Sequence, residues 1–198
     1  MKDLSLAKKI FGDWKKTRTI VTVAIGAALY GVLMIYGGIP VFTNTQLSTA
    51  LLVPIFVGAL TGAFPTAIAL FLGNVIADLI GGWGLWFDWS IGNAVMGFFV
   101  GLLPVYGAYI MDGIFKVKHA IIYAITVAVG VVVAFAAVTP LLTMVMYAGE
   151  LQTSITQGLV ASIANIAILI VLGIPILALM ANRFGARTNL RETESDEE

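Results

Sequence analysis

A chain of 198 residues with 60% hydrophobic and only 11% charged residues cannot hide its apolar surface in one water-soluble core, because an ordinary soluble domain is about half apolar and about a quarter charged. A formal net charge of zero argues against nucleic acid as a partner, and the lack of cysteine excludes disulfides, thiolate metal sites and a cysteine nucleophile. Residues 19–77, 89–111, 120–149 and 151–182 carry no formal charge. About 20 apolar residues cross about 30 Å of hydrocarbon as a helix, so these blocks hold several spans.

Residues 1–18 form a basic segment with Lys2, Lys8, Lys9, Lys15, Lys16 and Arg18. The apolar stretch that follows is too long for a signal peptide, and no clear cleavage site accompanies it. A first helix is predicted at about 19–37, ended by Gly37-Gly38-Ile39-Pro40 and the polar run Thr43-Asn44-Thr45-Gln46. Glycine pairs and the residue before proline mark turns. A second helix at about 48–63 and a third at about 65–81 make a tight hairpin around Pro65. An aromatic loop, 83–89, leads to a fourth helix that runs to about 111 and stops at Asp112-Gly113. Lys116, Lys118 and His119 form a polar connection to a fifth helix at about 120–147, kinked or partly unwound at Pro140. The sixth covers about 156–181, with Pro175 disturbing its last turns. Residues 182–198 form a tail whose acidic end, Glu192 to Glu198, reads as disordered and solvated.

All eleven Lys and Arg fall before the first helix, between the fourth and fifth, or after the sixth, as Arg183, Arg187 and Arg191. Six spans put these segments on one side, and the positive-inside rule makes that side cytoplasmic. The expected architecture is therefore an all-α integral membrane protein with six transmembrane helices over 19–181, both termini cytoplasmic, set multi-pass in the lipid of the cell membrane.

Ala24, Ala28 and Gly31 share one stripe of the first helix. Small residues at that spacing let helices approach closely in lipid, and spacing alone leaves internal packing or contact with a partner protein open. Gly97 and Gly101 repeat the arrangement on the fourth helix, where internal packing is favoured. Polar residues gather at the opposite, outer end: Asn44, Thr45 and Gln46 in the first loop, Asn74 and Asp78 at i and i+4, Asp88, Ser90 and Asn93 opening the fourth helix. Glu150, Gln152, Gln157 and Asn165 follow later in the chain. An ionisable group inside a span is costly unless paired or in a wet cavity, which singles out Asp78; a side chain reaching the outer interface is the plainer alternative. Trp83, Trp86 and Trp89 crowd the same end. They suit an interfacial belt or, beside Asp78 and Asn93, a pocket for a planar ligand. No catalytic pairing, metal-ligand set or phosphate-binding glycine loop is evident, so no enzyme activity and no cofactor are expected. Energised transport would need another protein.

Several of these residues carry a family resemblance, over about residues 19–105. They are Ala-Ile-Gly-Ala-Ala-Leu-Tyr at 24–30, Pro40 before Asn44-Thr45, Gly62-Ala63-Phe64-Pro65, Gly73-Asn74-Val75-Ile76-Ala77-Asp78 and the tryptophan-rich loop. The chain resembles an S component, the substrate-binding membrane subunit of energy-coupling-factor vitamin transporters, and more narrowly the riboflavin-transporter-like group. Members of that group often have Gly-His where this chain has Gly73-Asn74, a departure that bears on the ligand. The resemblance implies six helices and a vitamin or related micronutrient bound at the outer side. It also implies docking through an Ala-x-x-x-Ala motif, matched by Ala24 and Ala28, onto a transmembrane coupling protein driven by two ATPases. Asn44, Gln46, Asn74, Asp78, Trp83, Trp86, Trp89, Asn93 and Asn165 are the candidate substrate-binding residues, and Ala24, Ala28 and Gly31 the candidate docking residues. The rival reading is a non-transport scaffold or assembly subunit with no need of an outer pocket.

Overall fold

Ser5 opens the described part of the chain by accepting a hydrogen bond from the Lys8 amide, which caps a short helix, α1 (Leu6–Phe11). The computed structural model describes residues 5–42 and 45–195, with the side chains of 40–47 and of 187 onward outside the description. α2 (Thr17–Tyr36) follows, then two antiparallel strands, β1 (Gly38–Phe42) and β2 (Thr45–Ser48). A 3-10 turn at Thr49–Leu51 leads into α3 (Leu52–Thr61), and Gly62 into α4 (Ala63–Gly81). α5 is Phe87–Val100, α6 Val117–Val132, and α7 Thr139–Tyr147 after a π-helical stretch at Val133–Val138. α8 (Leu151–Val171) and α9 (Gly173–Ser195) complete the chain.

Close approach at small residues sets the helix order. A side chain at Gly26 would strike Val57, and one at Gly31 would lie 2.9 Å from the Gly73 carbonyl, so α2 is seated against both α3 and α4. A side chain at Gly97 would crowd Leu70 and Thr66, and one at Gly101 would come within 2.6 Å of the Gly62 carbonyl. Those contacts run α5 antiparallel to α4. Gly31, Gly97 and Gly101 therefore serve internal packing. In lipid, where apolar surfaces gain little by meeting, this interdigitation is what holds helices together. The core that results includes Ile55, Leu70, Met96, Leu103, Tyr123 and Phe135. The exterior is apolar as well, with Ile25, Leu29, Ile125, Val145, Ile163 and Val171 all exposed, as a lipid-facing surface requires.

Several elements differ from the sequence-based expectation. The segment expected as the first outer loop carries a β-hairpin, with Gly38 opposite Ser48 and Pro40 opposite Gln46; its period-two signal is too short to read against the flanking turn residues. The fourth predicted helix ends at Val100 and not near 111. Gly101, Pro104 and Gly107 turn the chain there, with Leu102 donating to the Phe99 carbonyl and Ala108 to the Leu103 carbonyl. The predicted sixth helix begins earlier, at Leu151, and divides at Leu172, three residues before Pro175. The disturbance expected at Pro140 takes the form of the preceding π stretch, in which the Thr139 amide reaches back five residues to the Ala134 carbonyl. Among the described residues, four segments are long and apolar enough to cross a membrane: Thr17–Tyr36, Ala63–Gly81, Val117–Tyr147 and Leu151–Ala186. α3 and α5 are shorter, and α3 is buried along most of its length.

The ends of the bundle differ in chemistry. At one end Arg18 donates to the Leu60 carbonyl at 3.0 Å, and Lys9 to the Tyr109 hydroxyl at 2.6 Å. There the Phe11 ring also meets Phe64 edge-on. His119 caps α6 by accepting the Lys116 amide at Nδ1, 3.0 Å away. The hairpin, the α4–α5 loop and the α7–α8 turn occupy the other end.

One contact tests the packing directly. A Cβ at Gly158 on α8 would overlap the Phe135 carbonyl oxygen of the π stretch. Gly158→Ala is expected to lower stability by about 1–3 kcal/mol, read as an earlier thermal transition in detergent, whereas Leu159→Ala on the exposed face should leave it nearly unchanged.

Candidate functional site

α4 carries Asn74 and Asp78 one turn apart, and α5 carries Ser90 and Asn93 facing them across the antiparallel pair. The side chains form a directed chain of hydrogen bonds. The Tyr30 hydroxyl of α2 donates to Asn93 Oδ1 at 2.7 Å, and Asn93 Nδ2 donates to Asn74 Oδ1 at 2.8 Å. Asn74 Nδ2 donates in turn to Asp78 Oδ2 at 3.3 Å and to Ser90 Oγ at 3.0 Å. Asn93 Nδ2 also reaches the Trp89 carbonyl at 3.0 Å, and Ser90 Oγ donates to the Trp86 carbonyl at 3.1 Å. The chain ends on Asp78, whose Oδ2 accepts the Trp86 amide at 2.9 Å. Buried amides left unpaired would each cost about 1–3 kcal/mol, so this network fixes both amide orientations and the start of α5.

The network forms one wall of a cavity of about 800 Å³. Tyr30, Met34, Ala50 and Leu51 continue that wall, while Phe135, Ser154, Ala161 and Asn165 face it from α8 and the π stretch. Trp83, Trp86, Thr143, Tyr147, Glu150, Thr153 and Gln157 stand nearer the mouth. This volume is in the range of a pocket for a small organic ligand. Asn165 is buried and its Nδ2 lies 3.8 Å from Met96 Sδ.

The aromatic loop lies over the cavity and is clasped to α7. Tyr147 accepts the Phe87 amide at 2.9 Å and donates to the Leu85 carbonyl at 3.1 Å. Its ring lies 4.9 Å from that of Trp86, whose indole N–H bonds the Trp83 carbonyl. Trp83 and Trp86 are 46% and 41% exposed, whereas Trp89 is partly buried, 5.7 Å from the Phe135 ring. Behind the loop, Asp88 is fully buried; one carboxylate oxygen accepts from Thr143 and the other has no hydrogen-bond partner among the described residues.

Of the residues singled out from sequence, Asn74, Asp78, Trp83, Trp86, Trp89, Asn93 and Asn165 all line this one cavity. Asn44 lies outside the described residues; Gln46 lies in β2, with its side chain outside the description. Ala24 and Ala28 sit on the exposed face of α2, while Gly31 is buried against α4. Tyr30 and Tyr147 were missed, since a hydroxyl on an otherwise apolar helix or at its last residue does not stand out from an interfacial tyrosine. Replacing Tyr147 by Phe is expected to raise hydrogen exchange at the Phe87 amide about tenfold, the loss of about one hydrogen bond. Unchanged exchange there would show that the clasp does not hold the loop.

Comparison with known proteins bears on this geometry. A family model described as ECF-type riboflavin transporter, S component, matches residues 14–182. The UPF0397 protein of Aliivibrio salmonicida is 33% identical over 180 residues, covering 89% of this chain and 97% of the relative. A UPF0397 protein of Aliivibrio fischeri is 33% identical over 178 residues, covering 88% and 96%, and one of Vibrio atlanticus 32% identical over 178 residues, covering 88% and 97%. With a match that runs from just before α2 into α9 and takes in every residue described as lining the cavity, this multi-pass membrane protein belongs to the ECF-type riboflavin transporter S-component family.

Proposed function

We propose that the chain captures a vitamin-sized, riboflavin-like planar ligand at the outer face of the cell membrane and passes it inward as the substrate-binding subunit of an ECF-type importer. The observation that carries this reading is the cavity itself, in which an oriented amide–carboxylate chain faces aromatic rings beneath a clasped loop. A flat heterocycle presents a polar edge and two apolar faces. The edge would meet Asp78 and the amides that Asn74 and Asn93 hold in register, and the faces would stack on Trp86 or Trp89. The hairpin and the α4–α5 loop would close over it.

The same reading takes α2, α3, α4, α5, α6–α7 and α8–α9 as six passes, with both termini in the cytoplasm beside the basic end of the bundle. The short α3 and α5 are accommodated because protein surrounds them, so their backbone ends need not meet lipid. The exposed face of α2, with Ala24 and Ala28 among Ile20, Val21, Ile25 and Leu29, is the surface for the transmembrane coupling protein, behind which two ATPase subunits would supply the energy.

Titration of the purified protein with a vitamin panel headed by riboflavin should quench tryptophan emission for one member. Asn74→Leu should weaken that binding about 10–100-fold, the worth of one or two oriented hydrogen bonds. Folded protein whose emission no vitamin alters would instead favour a scaffold subunit. For the docking face, Ala28→Trp should abolish uptake in cells that express the coupling module while ligand affinity stays within about twofold. Uptake at the unsubstituted rate would remove α2 from the docking surface.

A further inference from the structure

We infer that the cavity selects its ligand by charge, admitting a neutral or cationic ring and rejecting any form that carries a phosphate or carboxylate. The substrate class named here rests on the capture reading above, but the charge asymmetry behind it is a property of the cavity alone. Asp78 and Glu150 both line the cavity, and the described lining includes no Lys, Arg or His. The hairpin side chains outside the description cannot supply one, because there is no Lys, Arg or His between Arg18 and Lys116 or between His119 and Arg183. The cationic groups gather at the opposite end of the bundle, where Lys9 and Arg18 are engaged.

Asp78 offers its second oxygen to a ligand. Oδ2 is taken by the Trp86 amide and Asn74, while Oδ1 has no hydrogen-bond partner among the described residues. A ligand N–H or a positive ring nitrogen would satisfy it. A helix N-terminus is the usual substitute for a basic side chain in holding an anion, and α5 begins at this cavity. There the Trp86 amide is committed to Asp78 and the Phe87 amide to Tyr147, and Asp88 puts a carboxylate into the first turn of α5. The amides that open α8 lie beside the Glu150 carboxylate, which accepts from Thr153 at 2.9 Å. Low-dielectric walls concentrate the field of such a one-signed cleft, and a buried anion with no counter-charge is strongly disfavoured.

The field can be measured without knowing the ligand. The chain has four tryptophans, so Trp14→Phe leaves Trp83, Trp86 and Trp89 as reporters at the cavity. In nanodiscs of zwitterionic lipid, iodide should quench them at least about threefold less than neutral acrylamide, relative to free indole, whereas caesium should show no such deficit. Glu150→Gln, and separately Asp78→Asn, should restore part of the iodide quenching. Iodide quenching equal to that of acrylamide would overturn the inference, whatever the ligand. In parallel, riboflavin and thiamine are compared with their monophosphates, and the dephospho form of whichever vitamin binds is expected to bind at least about 100-fold tighter, because like charges placed together cost several kcal/mol. Equal affinity for the phosphorylated form would assign the α8 N-terminus as an anion site and overturn the inference. Silence from every vitamin would count against the capture reading, and the iodide result would still decide the charge claim.

Discussion

Polar groups within an apolar helix bundle must find most of their partners inside the protein, and the bonds among Tyr30, Asn93, Asn74 and Asp78 answer that constraint. Each amide in the series has both of its N–H donors used, so neither can turn over without breaking bonds on two helices. The series ties α2 to α5 and α5 to α4, and it fixes the loop beyond α4 through the Trp86 amide. It also explains the glycines around it. Gly73 lets the Tyr30 ring lie against α4, and Gly97 lets α5 approach closely enough for Asn93 to reach Asn74. Packing and polarity here are a single arrangement, since the hydrogen bonds need a separation that only small residues permit.

A second polar contact stands apart from that series. Thr143 of α7 donates to the buried Asp88 carboxylate of α5, and Tyr147, one turn on, grips the loop between them. The loop is thus held from two sides, by Asp78 beneath and by α7 above. Movement of α7 relative to α5 would release the upper hold while leaving the lower one in place, which gives the cavity a way to open that does not dismantle its polar wall.

Much of this was legible in the sequence because hydrocarbon imposes coarse rules. Uncharged blocks marked the helices; Asn74 and Asn93 stood out because amides are rare in such blocks, and Asp78 because it is an acid on a predicted span. Their convergence on one cavity follows from α4 and α5 being antiparallel neighbours, which the short connection around Trp83 and Trp86 already implied. What could not be read depended on pairing at a distance. The β-hairpin needs strand partners whose register is fixed by backbone geometry, and the turn after Val100 lies within a charge-free block where composition gives no boundary. The stripe of small residues on α2 looked uniform in sequence, yet Gly31 falls at the edge of the buried arc while Ala24 and Ala28 face outward. Three residues within about 60° of one another on a helical wheel are divided by the rim of the neighbouring helix, and no periodicity argument resolves a rim.

The π stretch at Val133–Val138 has a consequence for the angular phase of everything after it. One extra residue held within a helical turn rotates the following helix by about 100° relative to an uninterrupted α-helix. Pro140, with no N–H to give, sits where that offset is absorbed. Thr139, Thr143 and Tyr147, spaced by four, owe their common face toward α5 and the cavity loop to this offset. Upstream of it, α6 is set by its own contacts with α5 and α8. The helix therefore behaves as two cylinders joined out of phase, one shaped to lipid and bundle and the other to the mouth of the cavity. Changes in chain length within 133–138 would act on the second alone, turning the loop's anchor without disturbing α6.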